Sequence, residues 1–530
     1  MTGVVPEAVT AARDSGAPGA ARDTGDPSSA WSLRYRPQPE WPCQGWVASF
    51  GRGDREIEVL HGSRVETRDA WFCEAAWAGD FAAGDFDRTD VVAGTGCRLR
   101  EDRVVFVPPG TLVDRLHWLE REGRFWVSNS FSALLAVTGG RISRSDPHHS
   151  RGMRSIKYLG LDRCRRTWES TAGTVHLVYF ENLVWDGQSL SQHDKPHGDR
   201  RFPDFETYEG FLDQSMAALA ANIAHPERRH DLRMLGSVSS GYDGPMVTAL
   251  GSRHGCKEAI CFTEDRQGQS DSGVPLGPHL GIEVLGLDPN AWRQLDKPEI
   301  PFAAGDPHAD EVYLAAAREH LAGSLLLTGY FGDRAWGKRR PPEKPPFYYG
   351  GHGAALSEFR LEVGFLVCAP AYWGGRAARD IHAISTSEAM APWEIPGPYS
   401  RPICRRILEE AGVPRELFGQ HKRAVAVLLY MNDFLVPSSM ADYLGWLRRH
   451  SGEWWRSWRL PPLRLPGFDR WRRQAINPLF AMAFILGQRY PKWFRTLSVR
   501  LSEPFGLRRH LFPWALEHIT KRYAVADDPR

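Results

Sequence analysis

The rhythm of apolar and polar positions changes three times along this chain. From Trp41 to about residue 200, short apolar runs are broken by turns. "WVASFG" (46–51), "RVVFVPPG" (103–110), "GRFWVSNS" (123–130) and "GTVHLVYFENLVWDG" (173–187) have the composition and alternation of strands. A β-rich domain with few long helices is predicted there. The period then lengthens. Phe205, Tyr208, Phe211, Leu212, Met216, Leu219 and Ile223 fall at helical spacing, with Asp204 placed to cap the start and Pro226 to stop the end. Strands and helices alternate beyond it. "RMLGSV", "EAICFTED", "EVLGLD" and "SLLLTG" read as strands; "PMVTALGSRHG", a short turn ending "HLGI", and "ADEVYLAAAREHLAG" read as helices. That alternation predicts parallel βαβ units. After "LPPLRLP" the pattern changes again, to a segment dense in Trp and Arg.

Composition narrows the class. Of 530 residues, 42% are apolar and 25% charged, as in a globular protein with a sizeable core. A net charge of +2 gives no argument for a nucleic-acid partner. Eight cysteines, at 43, 73, 97, 164, 256, 261, 368 and 404, form no CxxC pair, which argues against zinc or a redox dithiol. Scattered cysteines without a signal peptide read as reduced and cytoplasmic. No apolar run approaches the ~20 residues of a membrane span. The predicted organisation is a disordered leader (1–40), a β-rich domain (41–200), an α/β domain with a parallel sheet (201–440) and a helical Trp/Arg-rich extension (441–530). The extension has three readings: a helical segment packed on the α/β domain, a peripheral membrane contact with "INPLFAMAFILG" dipping into lipid, or a polyanion-binding surface.

Two turns carry the candidate chemistry, because doubly wound sheets bind ligands beyond the carboxyl ends of their strands. In "LGSVSSGYDGPMV" a strand empties into Ser239, Ser240, Gly241, Tyr242, Asp243 and Gly244, and an apolar, helix-compatible run resumes at Met246. Small residues let backbone N–H groups approach an anion, and a following helix adds its positive end. Asp243 beside phosphates makes sense if Mg²⁺ bridges them. The plainer reading is a strand-to-helix turn whose Ser or Asp caps the helix. The second turn, "YFGDRAWG", also leaves a strand.

"SSGYDG" resembles the PP-loop, S-G-G-x-D-S, of the ATP pyrophosphatases, with Ser240 at the first Gly and Gly244 at the last Ser. "LLLTGYFGDRAWG" resembles the S-G-x-G-x-D-E-x-x-x-G turn of the asparagine synthetase family, allowing a one-residue shortening. Thr328, Gly329, Gly332, Asp333 and Gly337 are in register. Phe331 stands where that family often has Gly, and Arg334 where it has Glu. "RRILEEAGVPRELFGQHKRAV" resembles the family's late segment and puts Lys422 at its Lys. The resemblance implies a PP-loop synthetase fold preceded by a glutaminase-like, Ntn-hydrolase-like domain. It implies ATP and Mg²⁺ as cofactors, a small-molecule or peptide carboxylate as substrate, and an amine donor. The carboxylate would be adenylated and passed to the amine, forming an amide. Val238, Ser239, Ser240, Gly241, Tyr242, Asp243, Gly244, Phe262, Thr328 and Gly329 would hold the nucleotide. Asp243 and Asp333 would hold the metal, and Lys422 would stabilise transition-state charge. The plainer reading of Lys422 is a solvated lysine.

Two departures qualify the resemblance. The family's glutaminase uses a cysteine directly after Met1; here residue 2 is Thr. Cleavage after Pro42 would expose Cys43, but a packed cysteine is the simpler expectation. The β-rich domain therefore reads as a degenerate glutaminase kept as scaffold. Tyr330 stands where asparagine synthetases have Glu, as in β-lactam synthetase, where a Glu holds the Tyr as general base; Glu362, or Glu358 one turn earlier, would be that partner, or both would face solvent. An intramolecular cyclase of the β-lactam synthetase or lasso-cyclase type is thus a second reading, and an eroded, non-catalytic scaffold a third. Trp373, Trp393 and Tyr399 would shape an acceptor pocket or fill core.

Overall fold

The computed structural model describes residues 31–143, 159–306, 308–338, 356–397, 399–427, 435–454 and 510–525, with a few isolated positions besides. The leader expected over 1–40 lies outside the described residues up to position 30, and a strand is found ahead of the boundary set at residue 40. Ser32–Pro37 is strand β1, whose Leu33 and Tyr35 pack inward while Ser32, Arg34 and Pro37 face out. Its alternation is a strand signal that the preceding Ala/Gly/Asp/Pro-rich stretch obscured.

The strands that follow are β2 (Trp46–Gly51), β3 (Glu56–His61), β4 (Glu66–Arg68), β5 (Trp71–Trp77), β6 (Val92–Leu99), β7 (Val104–Val107), β8 (Leu116–Arg121), β9 (Arg124–Ser128), β10 (Thr167–Ser170), β11 (Gly173–Val178), β12 (Asn182–Trp185) and β13 (Leu190–His193). They form a seven-stranded sheet of order β1-β3-β2-β9-β8-β11-β10 and a six-stranded sheet of order β13-β12-β7-β6-β5-β4. Pairing is antiparallel except between β1 and β3. The sheets share a core in which Phe50 stacks on Phe106 at 5.6 Å and Trp46 meets Phe72 edge-on at 5.0 Å. Helix α1 (Phe131–Val137) is capped by Ser130, which accepts from the Ala133 N–H.

Helix α2 (Phe205–Ile223) forms as predicted, with Asp204 accepting from the Thr207 N–H at 2.8 Å. It packs on β5 and on α3 (Asp243–Arg253). Beyond it lies a five-stranded, all-parallel sheet built from β14 (Arg233–Ser237), β15 (Glu258–Phe262), β16 (Glu283–Leu287), β17 (Ser324–Leu327) and β18 (Leu366–Cys368), in the order β16-β15-β14-β17-β18. The chain winds outward from β14 to β16, then crosses to the other side of β14 for β17 and β18. β14 and β17 therefore flank the point where strand order reverses. β18 was not legible, since three apolar residues carry no periodicity.

The helix expected over 309–323 is instead a 3₁₀ segment, Val312–Ala317, and one α-turn, Arg318–Leu321. An α-helix would offer the Asp310 carbonyl to the Leu314 N–H. That carbonyl accepts from Val427 at 2.8 Å, and Leu314 bonds back to Glu311 at 3.0 Å.

One buried ionic cluster joins the antiparallel half to the rest. Arg360, on α5 (Ser357–Val363), pairs with Glu74 of β5 and Asp114 at 2.7 Å each. Asn129 and Thr95 also bond Glu74, and Ser357 bonds Asp114. The described part of the C-terminal extension is helical. The boundary drawn at residue 440 falls inside α7 (Pro437–Trp454), whose start is capped by the buried Glu299 carboxylate bonding the Val436 N–H and Ser439 hydroxyl. The last helix, α8 (Leu511–Lys521), packs on α1 and on α4 (Ile300–Gly305). Trp514 is fully buried, and Trp446 donates to Glu517 at 2.8 Å. The membrane and polyanion readings rest mostly on residues 455–509, nearly all outside the described residues. Among the described residues no helix is long and apolar enough to cross a membrane.

Candidate functional site

A cavity of about 340 Å³ opens at the carboxyl ends of β14, β15 and β17, a volume within the usual range of small-molecule sites. It sits where the strand order reverses, the place such sheets reserve for ligands. Residues from four separated stretches line it: 237–244 after β14, Ile260 and Phe262 on β15, 326–333 at the end of β17, and 422–425. Asp271, Tyr313, Leu314 and Tyr399 complete the wall.

The first turn is held by bonds that commit several of its polar groups. Val238 extends β14 by donating to Ile260 at 3.0 Å. Gly241 donates to the Ser239 hydroxyl at 3.1 Å. The Ser240 hydroxyl donates to Asp271 at 2.6 Å, its N–H points at the same residue, and its carbonyl accepts from Gly419 at 2.7 Å. Ser240 is the one residue of the turn that does not line the cavity. Its hydroxyl is a staple between loops, held away from the cavity where the nucleotide was expected. Tyr242 is fully buried and accepts from Arg405 at 2.7 Å. Its ring meets Phe418 and Tyr399, with centroids 6.0 Å and 5.1 Å away. These contacts tie the turn to α6 (Pro402–Glu410) and the segment carrying Lys422.

The second turn is pressed against the first. A Cβ on Gly329 would lie 2.5 Å from the Asp243 Cβ and from the Gly244 nitrogen, and one on Gly332 would lie 2.6 Å from the Asp243 carboxyl carbon. Real Cβ atoms do not approach so closely, so both glycines are required by contact. Gly244 itself faces the Ser237 carbonyl, 2.6 Å from where its Cβ would be, so the serine expected there does not fit. Phe331 takes the left-handed conformation, φ +72°, which favours glycine. It is held there by stacking on Tyr372 at 4.8 Å. Gly329→Ala is expected to cost about 1–3 kcal/mol by overpacking and to push the turns apart. Chemical denaturation checks the cost; full stability would show that the contact yields.

Charge is unevenly spent. Asp243 is ion-paired with Arg401, the side chains being 16% and 6% exposed. Burial pushes the Asp243 carboxyl up, and Arg401 pulls it part of the way back. Asp333 is exposed and, among the described residues, has no charge partner. Lys422 is also exposed, and no described carboxylate lies within ion-pair distance of it. Arg423 is engaged by Gln269 at 2.5 Å and by Asp265 at 3.5 Å.

The structure thus brings Val238, Ser239, Gly241, Tyr242, Asp243, Gly244, Phe262, Thr328, Gly329, Tyr330, Asp333 and Lys422 to one cavity. It leaves Glu362 out. That carboxylate pairs with Arg318 at 2.8 Å and with Arg522, on the face toward α8. Glu358 is buried against Ser130 and Tyr523. Neither is the partner of Tyr330. Burial raises the Tyr330 phenol first, and the charges of Glu311, Tyr313 and Asp310 raise it further. Of the three aromatics weighed for an acceptor pocket, Tyr399 lines the cavity, Trp373 is core, and Trp393 lies under Arg406. Cys43 packs its thiol toward the Leu361 and Glu362 carbonyls at 3.4 and 3.5 Å, and burial pushes it up. Sequence reasoning missed Arg401, Asp271 and Tyr313. Asp271 sits in the polar run "GQSDSG", a weak loop signal; Arg401 carries no local signal.

No protein-family model matches the chain, and a search of curated proteins returns no match.

Proposed function

We propose that the chain is an ATP-dependent, AMP-forming amide ligase of the asparagine synthetase-like type, acting without glutamine hydrolysis. One observation carries the reading: three stretches that resemble that family, spread over nearly 200 residues, line a single cavity at the switch point of a parallel sheet ordered 3-2-1-4-5. The turns after β14 and β17 meet because those strands are paired; the convergence of the Lys422 segment on them is what supports the reading. The packed Cys43 supports the absence of a glutaminase thiolate. The antiparallel half is then an Ntn-hydrolase-like scaffold and the parallel sheet a PP-loop domain.

In this reading Val238, Ile260, Phe262 and Leu314 give the adenine an apolar wall. The N-terminus of α3 and the Ser239 turn face the phosphates. The substrate carboxylate attacks the α-phosphorus, and the bond to pyrophosphate breaks. An amine then attacks the acyl carbon, loses a proton, and expels AMP. Lys422 stabilises negative charge as the first bond breaks. Tyr330, beside Glu311 and Asp310, is placed to orient the amine. Asp333 is the carboxylate that would hold Mg²⁺, which when bound neutralises charge on the phosphates.

A second reading, a non-catalytic binding protein, is favoured by two commitments: Asp243 to Arg401 and Ser240 to Asp271. ATP–pyrophosphate exchange across a panel of carboxylic acids separates the two. Exchange with one acid is the expected result. ATP binding with no exchange for any acid, amine present or absent, would favour the binding protein. Amide formation without added amine would point to a cyclase.

A further inference from the structure

We infer that Arg401, not a divalent cation, is the resident counter-charge of Asp243, so that this carboxylate is not a metal ligand. The inference holds whether or not the ligase reading does.

The geometry around Asp243 leaves little room for a metal. One carboxylate oxygen meets the Arg401 guanidinium. The other faces the Cys404 thiol at 4.0 Å and the bare α-carbon of Gly332, where even a Cβ would come within 2.7 Å of it. Arg401 is itself fixed. Its guanidinium lies over the rings of Tyr399 and Tyr242, at 5.3 Å and 5.8 Å, and only 6% of the side chain is exposed. A metal bound to Asp243 would displace that guanidinium and leave it buried without a partner, which is strongly unfavourable. An arginine cannot lose its proton to relieve the conflict. Arg401 also stands at the start of α6, whose Arg405 holds Tyr242, so moving it would disturb the turn's anchor. Among the described residues no three His, Cys, Asp or Glu side chains gather as a metal site. Asp333, exposed and unpaired, is what remains. One carboxylate together with phosphate oxygens and water is a common way to hold Mg²⁺. Arg401 is thus a positioning residue: it fixes the rotamer of Asp243 and cancels its charge behind the cavity wall, leaving Lys422 and Arg423 as the cations that line the cavity.

The test is a Mn²⁺ titration of the nucleotide-free full-length protein, followed by electron paramagnetic resonance of the free ion. Wild type and Arg401→Lys are expected to show no binding that depends on Asp243. Arg401→Gln frees that carboxylate next to Asp333 and is expected to tighten Mn²⁺ binding on the order of tenfold. Adding Asp243→Asn should remove the gain. Wild-type Mn²⁺ binding that disappears in Asp243→Asn would overturn the inference. So would a folded Arg401→Gln that gains nothing. If Arg401→Gln fails to fold by circular dichroism, the wild-type and Asp243→Asn pair still decides. A merely structural arginine would leave the manganese signal unmoved in every folded variant. ATP binding is measured in parallel by calorimetry, with Mg²⁺ and with chelator. Failure to bind ATP in either would defeat the nucleotide reading, while the manganese result would still decide the role of Arg401.

Discussion

Replacing Arg360 with methionine is expected to lower the unfolding free energy by about 3–5 kcal/mol, the largest stability effect of any single substitution considered for this chain. Arg360 is 3% exposed, and its two partners, Glu74 and Asp114, are 0% and 6% exposed. The loss comes from what is left behind. Methionine fills most of the arginine's volume, so the cavity is small, but two carboxylates stay buried without a cation. Whether the intact triad outperforms an apolar one is a different question. Arg360→Met with Glu74→Leu and Asp114→Leu is expected to recover much of the loss. Burial already holds the Glu74 carboxyl above its ordinary 4.5, with Arg360 opposing the rise. Without Arg360 it moves higher still. Between the ordinary value and the raised one, the native variant binds a proton that the unfolded chain does not. Its stability therefore falls as pH rises through that window. Urea denaturation at pH 5 and pH 8 should show the larger deficit at pH 8. A deficit under about 1 kcal/mol, or one equal at both pH values, would mean that the cluster does not govern the junction.

Lys422→Met is expected to reduce ATP–pyrophosphate exchange by about 10²–10³-fold, the usual cost of losing one fixed group aimed at developing charge. Its expected effect on folding is within about 0.5 kcal/mol, because the side chain is exposed and holds no described carboxylate. The combination matters more than either number. An activity loss of that size with unchanged denaturation places the ammonium on the reacting phosphate. Exchange within about threefold of wild type would leave Lys422 a solvated lysine, as its neighbours His421 and Arg423 would allow.

Much of this architecture was written in local pattern. Helix α2 could be read to its cap because seven apolar side chains share one face and Asp204 precedes them. β14, β15, β16 and β17 could be read because each is an apolar run ended by small or polar residues. What escaped depended on distant partners. β18 is three residues long and exists because β17 is beside it. The 309–323 segment has helical spacing but gives up a carbonyl to Val427, more than a hundred residues away. The site divides in the same way. Glycines at 329 and 332 and aspartates at 243 and 333 are turn residues with local signatures, and they do meet. The expected Tyr330–Glu362 pair came from the spacing of another family. Here Glu362 lies on α5, between Arg318 and Arg522, while Tyr330 has Glu311 beside it. Arg401 could not be found from sequence, since its meaning lies wholly in a carboxylate 158 positions away.

Helix α8 and Tyr523 set an order on the protein's birth. The Tyr523 hydroxyl reaches Glu358, its ring meets Trp41 edge-on at 5.2 Å, and the Trp41 indole donates to the Ala524 carbonyl at 3.0 Å. Gly45 is shaped to receive the same ring, 2.6 Å from where its Cβ would be. The loop between β1 and β2 is therefore completed by residues made up to 483 positions later. Until residues 511–523 emerge, the apolar faces that α8 will cover stay open to water, and the nascent chain carries them through most of its synthesis. Loss of α8 would therefore strike the loop before β2 as hard as the helix itself.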